Sequence, residues 1–174
     1  MLSDFNLLAT TSRGNEREAC AELTFLFKEV GDSAMRIERS GVAGLIAAKT
    51  CLDPFGAIEK LRKILVKRPY EFRYTLRIIP IEKVVRTDLE EIRQGATELS
   101  SKIGENETFR VTVEKRFTAI HAQSIIEAAA ANIKQKVKLT KPDKILLVEV
   151  VGGLTGISIL KPDDVLSVMK EKIL

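Results

Sequence analysis

The sequence has no tryptophan, one histidine and two cysteines, and none of its apolar runs is long. Each scarcity excludes something. Cys20 and Cys51 stand singly, outside any CxxC pair, so a disulfide framework and a thiolate zinc cluster both lack a ligand set. His121 is the sole histidine, which leaves a Cys/His nucleophile poorly supplied. No stretch nears the roughly 18 apolar residues of a membrane helix. Met1-Leu2-Ser3-Asp4-Phe5 opens with neither the basic start nor the apolar stretch of a signal peptide. The loops GxxxxGK[ST] and GxSxG are missing, and no GxGxxG follows a strand. The expectation is a soluble, cytoplasmic chain that binds no metal or cofactor and is not an enzyme.

What is present is globular. The chain has 174 residues, 45% of them hydrophobic and 30% charged. That is longer than one ordinary domain of about 100–150 residues and short of two comfortable ones. The net charge is only +4, yet the cations cluster. From Lys60 to Arg93 ten basic residues face five acids, and from Arg110 to Lys161 nine face four. Clustered cations attract a polyanion by counterion release, so nucleic acid is the first partner to consider. A solvated basic face is the plain alternative.

Alternation of strand and helix signals gives an α/β chain with a boundary near residue 80. In residues 1–80, strands are expected at 5–10, 34–38, 42–49 and 72–78. A helix capped by Asn15 and Glu18 ends at Gly31, and another opens at Asp53-Pro54. That β-α-β-β-α-β order is the ferredoxin-like one. In residues 81–174, Ile81 to Val85 read as an extended connection, and Thr87-Asp88-Leu89-Glu90 as a capping box. Strands are expected at 109–113, 145–151 and 156–160. A long helix is expected over 119–138, and a last one from Pro162-Asp163-Asp164. The pairs Glu90/Glu91 and Asp163/Asp164 sit in first helical turns, where they complement the dipole rather than suggest acid–base chemistry.

Candidate phosphate contacts follow from this placement. Lys115 and Arg116 are expected in a loop ahead of a helix start, with His121 beside them. Lys134 and Lys138, four apart, would share one flank of that helix, with Lys141 in the next loop. Arg110 joins them, and Arg73 and Arg77 form a second tier on the outer face of the 72–78 strand. The seven Phe and two Tyr mostly fall on apolar faces, so recognition should be by shape and phosphate rather than base stacking.

Phe109-Arg110-Val111-Thr112-Val113-Glu114-Lys115-Arg116 followed by a long helix resembles the core of THUMP domains. So do Val137-Lys138-Leu139-Thr140-Lys141-Pro142-Asp143, the run Ile145-Leu146-Leu147-Val148-Glu149-Val150, and the closing Gly156-Ile157-Ser158-Ile159. Ile78-Ile79-Pro80-Ile81 with Thr87-Asp88-Leu89 resembles the usual entry from an amino-terminal ferredoxin-like domain. The resemblance covers residues 78–160 directly and the first half by architecture. It implies a ferredoxin-like domain (1–80) followed by a THUMP domain (81–174). It also implies binding of tRNA near the acceptor stem and 3′ end. With no modifying segment visible, it implies an adaptor similar to the one needed for N4-acetylcytidine formation, where a separate acetyltransferase is the partner. Two other readings stay open: a ferredoxin-like module that holds a small ligand or regulates, and a subunit of a methylating or thiolating tRNA-modifying complex.

Overall fold

A computed structural model describes residues 2–172. They form two units: the residues up to Ile81 together with those from Asp164 onward, and Glu82–Asp163.

In the first unit, β1 (Leu7–Thr11), α1 (Glu16–Glu29), β2 (Arg36–Arg39), β3 (Leu45–Lys49), α2 (Pro54–Lys67) and β4 (Thr75–Pro80) follow one another as expected. The strands lie side by side in the order β4-β1-β3-β2, all pairs antiparallel. α1 buries Ala19, Leu23, Leu26 and Phe27, and α2 buries Ala57, Ile58, Leu61 and Leu65. These stripes recur at helical spacing and meet Leu7, Ala9, Ile46 and Ile78 of the sheet in one core. Asp53 caps α2, accepting from the Gly56 N–H at 2.9 Å, and Pro54 occupies the first turn. The expected cap of α1 differs. Asn15 holds the N-cap position without a side-chain bond, and the Glu16 carboxylate instead accepts from the N–H groups of Gly14 and Gly44. Gly44 has φ +78, and a Cβ there would lie 2.7 Å from the Thr11 carbonyl oxygen, so only glycine fits this tight approach.

The second unit runs β5 (Lys83–Arg86), α3 (Leu89–Leu99), β6 (Thr108–Arg116), α4 (Ala122–Ala130), β7 (Lys136–Val137), β8 (Lys144–Val151) and β9 (Leu154–Leu160). Its sheet order is β5-β9-β8-β6-β7. β6 and β8 pair in parallel through the α4 crossover, and β8 and β9 form an antiparallel hairpin. α3 and α4 supply Ile92, Ala96, Ile125 and Ala129 to a core with Phe109, Leu146, Val148, Val150 and Ile157. Asp88 caps α3, accepting from the Glu91 N–H at 3.0 Å.

Four expectations change here. The Ile81–Val85 connection is in part a paired strand, β5, hydrogen-bonded along β9. β6 extends three residues beyond its expected end, because Glu114, Lys115 and Arg116 keep their register with β8. The helix expected over 119–138 stops at Ala130, and Lys136–Val137 pair in parallel with Thr108–Phe109. The sequence there alternates, Lys134, Lys136 and Lys138 between Ile133, Gln135, Val137 and Leu139, which is a strand period rather than a helical one. The chain after Pro162 does not open a helix in the second unit. It returns as β10 (Leu166–Ser167), pairing with Ile78 and Arg77 of β4, followed by α5 (Val168–Lys172) in the first unit. The physical reason is the buried edge: Leu166 and Val168 join the first unit's core.

Candidate nucleic-acid interface

β6 organises the second unit's cations. Successive side chains of a strand point to opposite faces. Phe109, Val111 and Val113 face the helices, and Lys115 follows them. Arg110, Thr112, Glu114 and Arg116 therefore take the other face. Lys115 and Arg116, expected together in one loop, are thus strand neighbours on opposite sides of the sheet.

Arg116 has a partner within the sheet. Its Nη1 donates to Oε2 of Glu149 on β8 at 2.6 Å, and the Glu149 side chain is fully buried. A guanidinium that neutralises a buried carboxylate is a structural group, because removing it would leave an uncompensated charge. Lys115 is exposed, and its Nζ donates to the Ile120 carbonyl at 3.0 Å across the loop into α4. His121 is exposed at the N-cap position of α4 and makes no capping bond with its side chain.

The second cluster lies at the other end of β6. Arg110 Nη1 donates to the Leu139 carbonyl at 3.0 Å, and the Lys138 N–H donates to the Phe109 carbonyl at 2.9 Å. These bonds hold the 138–142 loop on β6. Lys134, Lys136, Lys138 and Lys141 are all exposed, and none is in an ion pair among the described residues. Lys134 and Lys138 do not share a helix flank, since both lie beyond α4. No acid occurs between Ile133 and Pro142. Asp143 follows, its carboxylate accepting from the Thr108 N–H and hydroxyl. Those bonds hold it below the usual carboxylate range, with nearby Lys138 and Lys144 adding to the effect. Arg110 and Arg116 are six residues apart, so the two clusters are separated by about 20 Å along the strand.

Several other cations are paired with carboxylates. Among the described residues, Arg62 pairs with Glu59 and Glu171, Arg68 with Glu29, Lys83 with Glu98, Arg86 with Glu91 and Arg93 with Glu90. Arg73 and Arg77 belong to the first unit. Arg73 is exposed, next to the Glu22 and Glu71 carboxylates. Arg77 is half-buried, on a sheet face that also carries the fully buried Leu8, Ala47 and Ile79. The open basic face expected for the 72–78 strand is therefore absent: its same-side neighbours are apolar and covered.

Phe117 is a surface residue that the sequence did not single out. It follows β6, is 77% exposed and has φ +56. Lys141 has φ +50 and precedes a buried proline. These are the two non-glycine residues with left-handed φ among those described, and each lies in a loop at one end of the β6–β8 pair. Bulky side chains avoid that region, so both loops hold conformational strain of about 1–3 kcal/mol per residue. The signal for Phe117 was an aromatic wedged between Arg116 and Thr118, with no large apolar side chain two residues to either side.

No constellation for covalent chemistry accompanies these groups among the described residues. The Cys20 thiol is pushed above its ordinary value of 9.0 by burial, and Cys51 by desolvation and the Asp32 carboxylate beside it. Both are therefore weak nucleophiles. The buried carboxylate of Asp32 is used by the Thr50 hydroxyl and the N–H groups of Cys51 and Ala34. Among the described residues, no three His, Cys, Asp or Glu side chains group as a metal site, and no helix is long and apolar enough to cross a membrane.

Residues 86–160 match the THUMP domain family. No curated protein sequence matches the chain. Among solved structures it is similar to PH1313 from Pyrococcus horikoshii Ot3, with 20% identity and a TM-score of 0.60 over 90% of this chain and 55% of that one. TrmN from Thermus thermophilus gives 15% identity and 0.62 over 88% and 44%. A 4-thiouridine synthetase, solved as an RNA complex with bound ATP, gives 19% and 0.56 over 90% and 42%. At such identities the likeness is one of fold, and the chain spans roughly half the length of these structures. The unit built on β6, with its free lysines at one end and Phe117 at the other, is a THUMP domain.

Proposed function

We propose that this chain binds tRNA through its THUMP domain and acts as a non-catalytic adaptor, presenting the tRNA to a separate modification enzyme, a cytidine acetyltransferase. The observation that carries the RNA assignment is the run Lys134, Lys136, Lys138 and Lys141. It places four exposed cations within eight residues with no acid among them, none in an ion pair among the described residues, and Arg110 holds the following loop on β6 through the Leu139 carbonyl. Ordered lysines with no internal partner are available to replace counterions on a phosphodiester backbone. Lys115 and His121, about 20 Å along β6, extend the track over several phosphates. Phe117 between them offers a ring on which an unpaired base can stack. The bland competitor is edge protection, since lysines on an edge strand such as β7 also prevent sheet-to-sheet association. That role needs Lys136 and not the loop cations Lys138 and Lys141.

The fold likeness to a 4-thiouridine synthetase bound to RNA supports RNA as the ligand. The first unit, with sheet order β4-β1-β3-β2, we read as a ferredoxin-like domain that precedes the THUMP domain along the chain. The adaptor role rests on the sparse chemistry: one histidine without a partner base, and two thiols held above their ordinary value. The same fold likeness favours one second reading, a tRNA-binding part of a thiolating or methylating system.

The test is a titration with bulk tRNA at two salt concentrations, with duplex DNA as competitor. Salt-steep tRNA binding that DNA displaces poorly is expected, and no binding at low salt overturns the assignment. For the adaptor role, tRNA acetylation by a cytidine acetyltransferase is measured with and without the chain. Stimulation is expected. Turnover of unmodified tRNA by the chain alone removes the adaptor reading, and stimulation of a thiolating enzyme instead selects the second one.

A further inference from the structure

The first unit carries a cleft of about 540 Å³ whose chemistry is opposite to that of the basic loops. One wall is α1. Its inward stripe is the core, but Glu18, Ala21, Glu22 and Phe25 recur at i, i+3, i+4 and i+7, so they form a second stripe along the helix. The facing wall is the segment entering β4, with Tyr70 and Tyr74. Phe25 is 46% exposed and Tyr70 63%, and burying such rings is the ordinary outcome of folding. Glu22 fixes the geometry: its carboxylate accepts from the N–H groups of Arg73 at 2.6 Å, Tyr74 at 3.1 Å and Thr75 at 2.8 Å.

The charge of the lining decides the occupant. Glu18, Glu22 and Glu71 line the cleft with a single cation, Arg73, in a chain whose net charge is +4; Glu71 also lies 3.6 Å from the Arg68 guanidinium, which is not part of the lining. Phosphate is repelled there. Ring faces flanked by carboxylates attract a cation, and the planar guanidinium exploits both best, since it stacks on aromatics and bonds carboxylates bidentately. A lysine ammonium, more strongly hydrated, loses more on entering. We propose that the cleft between α1 and the start of β4 is a docking site for an arginine-bearing segment of a partner polypeptide. The site is independent of the RNA assignment, because it rests on a different unit and on the opposite charge.

The chain provides its own reporter. Tyr70 and Tyr74 are its only tyrosines and there is no tryptophan, so intrinsic fluorescence reads this cleft alone. The full chain is titrated with a capped Gly-Ser-Gly-Arg-Gly-Ser-Gly peptide, with the same peptide carrying citrulline, and with spermidine. A saturable change with the arginine peptide is expected, with the neutral citrulline peptide about tenfold weaker. Phe25→Ala, which keeps both tyrosines, should weaken binding about tenfold. Glu18→Gln should weaken it about two- to fivefold. Both side chains are exposed, and far-UV circular dichroism checks that each variant folds. No saturable response up to ~10 mM peptide, or equal binding of the citrulline peptide, overturns the proposal. A response to spermidine alone also overturns it and assigns the cleft to free polyamines.

Discussion

Arg116 on β6 reaches diagonally across the parallel ladder to Glu149 on β8, at 2.6 Å, with the carboxylate fully buried and the guanidinium side chain 20% exposed. The pair ties Arg116 into the sheet. Arg116→Ala should destabilise the chain by roughly 3 kcal/mol, since it strands a buried charge. Urea denaturation reads this as a lower midpoint with an unchanged slope. An Arg116→Ala variant as stable as the parent, but weak in tRNA binding, would return Arg116 to the interface.

The free lysines should behave differently. Replacing Lys134, Lys138 and Lys141 with Ala should leave the unfolding midpoint within about 0.5 kcal/mol per site, because all three are exposed. The slope of log K against log salt for tRNA should fall by about one for each phosphate that a lysine no longer neutralises. Filter binding at several salt concentrations measures it. An unchanged slope in the folded triple variant leaves these lysines a solubility role only.

Phe117 separates strain from use. Its ring is 77% exposed and its φ is +56, so Phe117→Asn relieves a left-handed conformation that asparagine tolerates. Stability should rise by about 0.5–1 kcal/mol, while affinity for tRNA with an unpaired 3′ end should fall by about 1–3 kcal/mol. Thermal melting and binding measured on one preparation check both. A variant that gains stability and binds equally well shows that the ring touches no base.

Two carboxylates make the second unit sensitive to acid. The Lys144 ammonium, then the Gly104 N–H, holds Glu107 below its ordinary 4.5. The Thr108 N–H and hydroxyl hold Asp143 below its ordinary 3.8. With folded values lower than unfolded ones, their stabilisation is complete above the unfolded values and is lost as pH falls through the folded ones. Stability should therefore be flat from pH 7 to about 5 and drop below about 4. Asp143→Asn with Glu107→Gln should flatten that drop. Chemical denaturation at steps of pH measures it, and an unaltered acid limb in the double variant assigns the loss to other groups.

Much of the secondary structure is legible in local sequence because its causes are local. Pro54 after Asp53 starts a helix. Leu23, Leu26 and Phe27 recur as an α1 stripe. The nearly continuous apolar run from Ile145 to Val151 reads as a strand covered on both faces, as β8 is. The alternation from Ile133 to Leu139 was equally legible, but it was masked by the helix-favouring Ala128 to Ala131 just before it. Beyond helix pairs three residues apart, such as Arg93 with Glu90, the tertiary structure decided which cations stay free. Whether an arginine is spent depends on what stands beside it in space. Glu149 lies 33 residues from Arg116 and Glu29 lies 39 from Arg68, and no spacing rule along the chain brings such pairs together. The return of Leu166 and Ser167 to β4 is of the same kind, because an edge strand seeks a partner wherever the fold exposes one. Local patterns set the backbone state of each segment, while charge partners and strand edges are settled by neighbours that only the packed chain supplies.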